Sequence, residues 1–453
     1  MMDVVIRNGR VVTPGGVFEG DVGIVEERIA ALGEGLRGNA EIDATGCYVL
    51  PGAIDPHVHL QMWAGDYRSS DDFASGTIAA ACGGTTTVID FVEPADAEPL
   101  LSALAARRAE ADGRVAIDYG LHMTIDAWHA ARPEELASLP EVVAVGVPSF
   151  KIYQAYGRLR LDDVLLHRAL RAVALVGALP IVHSENGPLC EELRAEALAH
   201  GHIDPCYHAL TRPARQEAEA VNRVIDIAAL AESPLYIVHV SCADAVARVE
   251  SARKRGEPVY GETCPQYLTL TADALDGPHG ERFICAPPLR SHADQGALWA
   301  ALAGGALDVL ATDHCPFTAD EKAGHLDFTT IPGGLPSVEA RLSLAYTLGV
   351  RAGKLSLERR VEVCCTAPAR IFGLARKGHI APGFDADLVV FDPEAEVLLS
   401  ADVLHEQVDW TPYEGTSLSG WPRHVFSRGR PIVRDGDYVG QPGWGRFVFR
   451  ERR

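Results

Sequence analysis

The run Gly52-Ala53-Ile54-Asp55-Pro56-His57-Val58-His59-Leu60 carries two histidines two residues apart at the end of an apolar stretch. On an extended strand, residues two apart share a face. His57 and His59 therefore aim two imidazoles at one point, which is what a metal ion needs. An isolated His-x-His is common on surfaces and in satisfied cores. Here it gains weight by repetition. Leu179 to His183, Leu235 to His239, Leu307 to Asp313 and Val145 to Lys151 are apolar runs that also end on a residue able to ligate. Five strand-like segments thus deliver His57, His59, Lys151, His183, His239 and Asp313 at their C-terminal ends.

The lysine stands out by composition. Of 41 basic residues five are lysines, at positions 151, 254, 322, 354 and 377. A chain that uses arginine almost everywhere keeps an amine at the end of an apolar strand. Arginine stays charged, whereas a buried lysine can lose its proton and react. One reading is an ion pair with a carboxylate at the rim of a barrel. The other is a neutral amine that has captured carbon dioxide, giving a carbamate whose two oxygens bridge two cations. The four histidines and the aspartate favour the carbamate.

Four neutral imidazoles, one carboxylate and one bridging anion suit two borderline divalent metals, zinc foremost, with manganese, cobalt and iron also suited to this ligand set. Two cations roughly 3.5–4 Å apart can share a water and bring its pKa towards neutrality, giving hydroxide. Asp313 would bind one metal, take the proton of that water and pass it to a leaving nitrogen. Tyr156, just past Lys151 on the following loop, is the candidate donor to a tetrahedral oxyanion; its alternative is an aromatic packed on the rim. The reaction class is hydrolysis of an amide-like bond.

Such a constellation needs elements that bring distant strand ends together. Strand candidates fall at 49–59, 85–92, 115–123, 143–151, 179–183, 235–240, 257–263 and 307–313, with helical segments such as Leu100 to Ala111 and Gln216 to Glu232 between them. Eight strands alternating with helices predict an α/β fold, a (β/α)8 TIM-like barrel with its site at the C-terminal strand ends. The candidate ligands lie at the ends of strands 1, 4, 5, 6 and 8. Both termini read as short strands and turns, which predicts a small β-sandwich domain from residues 1–52 and 378–453, the latter including a C-terminal tail, around a barrel of residues 53–377.

Bulk properties fit that picture. The 453 residues are 47% hydrophobic, enough for a large core. No apolar run reaches the roughly 18 residues of a membrane span, and the start lacks the signature of an export signal. The net charge of −21 argues against nucleic-acid and anionic-membrane partners. Ten scattered cysteines without a Cys-x-x-Cys pair read as free thiols of a cytoplasmic protein. His122 reads as a core histidine, and His314 as a residue pointing away from its neighbour Asp313.

Taken jointly, the six ligand positions resemble those of the amidohydrolase superfamily across essentially the whole chain. Within it, the resemblance is to cyclic amidases of the hydantoinase and dihydropyrimidinase group. It is carried further by Asp71 to Thr77 with Gly83-Gly84-Thr85-Thr86, by Glu262-Thr263-Cys264-Pro265-Gln266-Tyr267-Leu268, by Ala286-Pro287-Pro288-Leu289-Arg290 and by Thr312-Asp313-His314-Cys315-Pro316-Phe317. The resemblance implies a binuclear site with carboxylated Lys151, a substrate-binding role for Tyr156, and a homotetramer that opens hydantoin or dihydropyrimidine rings to N-carbamoyl amino acids. It also implies that Ala286 and Gly333 hold the ring amide through backbone groups, and that Met62 and Trp63 shape the pocket for the exocyclic group. Three departures blur the substrate: Ala286 where serine is usual, Gly333 where asparagine is frequent, and Trp63 where proline is customary. Allantoinase shares the metal set and the Cys285 to Pro288 texture and is the alternative. Dihydroorotase is disfavoured because Gln61 stands where that family has arginine, and a non-catalytic scaffold relative is disfavoured because no ligand position is lost.

Overall fold

The computed structural model describes residues 1–452. Eight parallel strands form its centre: β1 (Ala53–Val58), β2 (Thr85–Val92), β3 (Asp118–Thr124), β4 (Ser149–Tyr153), β5 (Leu179–His183), β6 (Leu235–Ile237), β7 (Val259–Thr263) and β8 (Val309–Leu310). Each pairs with the next in chain order. The ring closes between the last and the first, where Asp313 N–H donates to His57 O at 2.9 Å and His59 N–H to His314 O at 2.8 Å. All eight residues of β2 are buried, as expected of a parallel strand covered on both faces. Ile54, Ile89, Phe91, Ile181, Tyr236 and Val309 belong to one buried cluster, the packed interior of such a barrel.

Helices cover the outside. The helix Asp163–Leu175 starts where the Asp162 carboxylate accepts from Leu165 N–H, satisfying one of the free donors of a first turn. The helix Ala214–Leu230 buries the stripe Ala218, Val221, Val224, Ile225 and Ala228, spaced for one helical face.

Several expected strands are placed or sized differently; the segment expected at 49–59 is divided between Tyr48–Pro51 of the terminal sheet and Ala53–Val58 of the barrel. The segment expected at 143–151 is a strand only over Ser149–Tyr153. Leu139–Ala144 is helical, with proline in its first turn, and Gly146 turns the chain at φ +90°, which glycine does without steric cost. The segments at 235–240 and 307–313 contract to Leu235–Ile237 and Val309–Leu310. In each the chain leaves the ladder before its candidate ligand: His239 has φ +39° and Asp313 φ +56°. Non-glycine residues in that region are uncommon and concentrate at functional sites.

The two ends of the chain build one nine-stranded mixed sheet. Its central join is the antiparallel pairing of Tyr48–Pro51 with Leu388–Leu398. The C-terminal tail then runs along the barrel: Tyr119 N–H donates to Arg446 O at 3.0 Å and Val448 N–H to Tyr119 O at 2.8 Å. At the N-terminal end of β3 a buried charge cluster joins barrel and sheet. Lys377 Nζ lies 2.8 Å from Asp118 and 2.6 Å from Asp387, and the Arg428 guanidinium reaches Asp118 at 3.1 Å. All ten cysteines are unpaired. Among the described residues no helix is long and apolar enough to cross a membrane.

Candidate active site

A cavity of about 600 Å³ opens at the C-terminal ends of the strands, and every residue singled out from the sequence for the site lines it. Two groups of side chains meet there. In the first, His57 Nε2 and His59 Nε2 are 3.2 Å apart, and both lie near Asp313 Oδ1, at 3.0 and 3.1 Å. In the second, His183 Nδ1 is 2.9 Å from His239 Nε2. The rings of His57 and His239, 5.5 Å between centroids, connect the groups. The His59 ring stacks on Phe91 at 4.7 Å.

Carboxylates behind the imidazoles orient them. Glu262, at the end of β7, contacts His57 Nδ1 and also accepts from His239 N–H at 3.2 Å. Glu185 holds His183 Nε2 at 2.9 Å and is itself bonded to Arg212. Sequence reasoning missed Glu262 and Glu185 as site residues. Both carried the signal used for the ligands: Glu262 closes an apolar strand, and Glu185 repeats the spacing of two after His183. Such outer carboxylates fix the tautomer and raise the basicity of a ligating imidazole.

One nitrogen each from His57 and His59 and an oxygen of Asp313 all lie within 4.8 Å of one another. A neutral His57, its Nδ1 proton directed at Glu262, would present the lone pair of Nε2 to this group. Acceptors crowded together in this way suit a cation held among them. Positive charge is also drawn to this point: against the opposition of burial, Glu262 and Asp313 lift His57 to about 9, so that without a cation the imidazole itself carries the proton. Burial alone dominates at His239 and His183, which are held neutral, as ligands must be.

Lys151 is 1% exposed, and among the described residues its ammonium has no hydrogen bond or ion pair. Nζ sits 5.0 Å from the Phe91 ring centroid and 5.1 Å from that of Tyr153. Burial drives its pKa down to about 8, against the pull of Asp313, Glu262 and Glu93. The rim ion pair considered for this lysine is therefore absent from the described residues, and an appreciable share of its amine is neutral near pH 7.

Tyr156 has φ +72°, a left-handed conformation that a bulky residue adopts only under constraint. Its ring lies 4.8 Å from that of His183, and the Arg212 guanidinium sits 5.6 Å over it. Met62 and Trp63 stand at the mouth, Trp63 being 63% exposed. Ala286 and Gly333 also line the cavity, and no hydrogen bond among the described residues uses the backbone of either. His122 and His314 lie outside the site. His122 is spent on Ser149 and Pro56 O. His314 holds Asp71 at 3.0 Å and accepts from Ser337 N–H.

The amidohydrolase family profile matches residues 48–432. The chain is 45% identical over 460 residues to a D-hydantoinase of Geobacillus stearothermophilus, covering 100% of this chain and 97% of that one. The fold superposes on the D-hydantoinase of Bacillus sp. AR9 with a TM-score of 0.97 at 45% identity, covering 100% of both chains. It matches the dihydropyrimidinase of Brevibacillus agri NCHU1002 equally, with a TM-score of 0.97 at 44% identity, over 100% of this chain and 99% of that one. The chain belongs to the amidohydrolase family, among its hydantoinase and dihydropyrimidinase members.

Proposed function

We propose that this protein is a metal-dependent hydrolase that opens cyclic amides, hydantoin or dihydropyrimidine rings, to N-carbamoyl amino acids. The observation that carries this reading is the full-length match to D-hydantoinases at 45% identity. The same relatives point to the D-enantiomer of 5-substituted rings.

His57, His59 and Asp313 would hold one divalent ion, His183 and His239 a second, and carboxylated Lys151 would bridge them. The convergence of His57 Nε2 and His59 Nε2 on Asp313 Oδ1, the close approach of His183 Nδ1 to His239 Nε2 and a buried, partly neutral amine support that assignment. Zinc suits the donors best, with manganese, cobalt and iron also compatible. When bound, such a pair supplies Lewis acidity, making water a nucleophile at neutral pH and polarising the ring carbonyl.

The chain's own groups do the rest. Asp313 takes a proton from the attacking water as the new C–O bond forms at the ring carbonyl. The Tyr156 hydroxyl donates to the oxygen on which negative charge collects. As the ring C–N bond breaks, Asp313 returns the proton to the departing nitrogen. The carbon becomes a carboxyl group, which gives its remaining proton to solvent as a carboxylate, and the rest of the ring becomes an N-carbamoyl group. The free backbone groups of Ala286 and Gly333 hold the ring amide, and Met62 and Trp63 border the exocyclic substituent. The working chain is a homotetramer of two-domain subunits, each with a barrel at 53–377 and a β-domain from 1–52 and 378–453. Light scattering on the purified protein checks the subunit count.

The test is ring opening by metal-replete protein on dihydrouracil, hydantoin, a phenyl-substituted hydantoin, allantoin and dihydroorotate. Turnover of the first three with little on the last two is expected. Preference for allantoin would replace this reading with the allantoinase one, and silence on all five would overturn it.

A further inference from the structure

Three of the five lysines are buried: Lys151, Lys322 and Lys377. Lys254 is exposed, and Lys354 lies on Trp299, 5.2 Å from its ring. Lys151 belongs to the active site and Lys377 is surrounded by carboxylates. Lys322 has neither setting. It is 0% exposed, and among the described residues no carboxylate comes within ion-pair distance of it. Its ammonium donates only to two backbone carbonyls, Ile284 O and Pro332 O, each at 3.0 Å. Phe317 and Trp410 flank it, their ring centroids 6.0 Å away. Burial brings its pKa down to about 7, and the neutral amine still carries two N–H groups, enough for both carbonyls.

The two carbonyls belong to the two segments that form one wall of the cavity. Ile284, Cys285 and Ala286 line it from one segment, and Ile331 to Leu335 from the other. Lys322 itself does not line the cavity. Further bonds fix the same segments: Gly334 N–H donates to Ile284 O at 3.0 Å, His208 Nε2 bonds Cys285 O at 2.8 Å, and Tyr267 O–H donates to Pro287 O at 2.7 Å. Ala286 and Gly333, beside these anchored carbonyls, keep their own backbone groups free. Burying a lysine without a counter-charge is costly. A compact ammonium fits between two carbonyls where the forked guanidinium, preferred elsewhere in this chain, is too large.

We propose that Lys322 is a positioning residue for the reaction: from behind the wall it clamps the 284–286 and 331–334 segments at the spacing that lets the free backbone groups of Ala286 and Gly333 grip the ring amide. This rests on the reading of those two residues as ring contacts.

The experiment compares hydantoin with 1-methylhydantoin, which lacks one ring N–H, on wild-type holoenzyme and on Lys322→Met. Wild type is expected to discriminate against the methylated ring by about tenfold or more in KM, the scale of one lost hydrogen bond. In Lys322→Met the hydantoin KM rises by about tenfold and that discrimination collapses, while kcat and metal content stay within about twofold. A merely structural role would instead lower the active fraction and kcat at unchanged KM, and that result overturns the proposal, as does discrimination retained in the variant. Absence of discrimination in wild type would sink the underlying ring-contact reading instead. Lys322→Arg covers the case in which the methionine variant does not fold. The longer side chain must push the two carbonyls apart, so a raised hydantoin KM is expected, and a wild-type KM would overturn the clamp.

Discussion

The barrel buries a cluster of ligand-type side chains at each of its two ends, and they are finished differently. At the N-terminal end Asp118, Asp385 and Asp387 converge closely enough to resemble a metal site. The Lys377 ammonium fills it, with Arg428 reaching Asp118, so the charges are answered from within the chain. At the C-terminal end His57, His59 and Asp313 converge just as closely. There the nearest lysine, Lys151, forms no hydrogen bond or ion pair among the described residues and rests over aromatic rings. The closed cluster ties the barrel to the terminal sheet. The open one has donor capacity to offer a cation from outside. A group of ligand-type residues therefore signals a metal only when the chain has not already supplied the positive charge.

That contrast can be broken from either side. Asp313→Ala should cost about a thousandfold or more in kcat/KM, because it removes the proposed proton carrier and a proposed ligand together. Steady-state ring opening beside a thermal melt should show the loss without unfolding. Lys377→Met should do the reverse. Its three neighbouring carboxylates lose their buried cation, which costs about 3–5 kcal/mol of stability, read by urea denaturation, while turnover per folded molecule holds. If Lys377→Met instead abolished turnover in folded protein, the division of labour between the two ends would be wrong. Tyr156→Phe should lower kcat by about a hundredfold, the usual scale for one oxyanion donor, with little change in melting temperature.

The smallest effect concerns Glu406, which lies beyond His314. Burial, with Glu339 and Asp71 nearby, lifts its carboxyl to about 7, against the pull of His314. A carboxyl raised in the folded state gives a contribution fully present below its unfolded pKa of about 4.3 and lost as pH rises through the folded value. Glu406→Gln should remove that loss. Its melting temperature relative to wild type should improve between pH 5 and pH 8, and an unchanged difference would contradict the assignment.

Much of this was legible in the sequence because strand periodicity and chemistry coincide. His57 and His59 share a face by their spacing, and β5 ends on His183 as expected, whereas β4 runs past Lys151 to Tyr153. The strand ahead of Lys151 was overextended because Val142 and Val143 look equally apolar in a strand or in a packed helix, and only the turn at Gly146 separates the two. His239 and Asp313 lie past the ends of their ladders, each at a positive φ that strand periodicity does not mark. The supporting shell was the least legible part. Arg212 reaches Glu185 from a loop 27 residues away, and Lys322 reaches Ile284 from 38 residues away. No local pattern marks contacts that only the folded barrel creates.

The central claim is that Lys151 serves the open cluster as a bridging carbamate. Metal content and turnover of Lys151→Ala, measured beside wild type after purification in bicarbonate-containing buffer, test it most directly. Wild type should carry about two divalent ions per chain. The variant should lose most of its metal and its activity, and added short-chain carboxylic acids, filling the place of the carbamate, should restore part of both. Full metal occupancy and unchanged turnover in Lys151→Ala, with no acid added, would contradict the account.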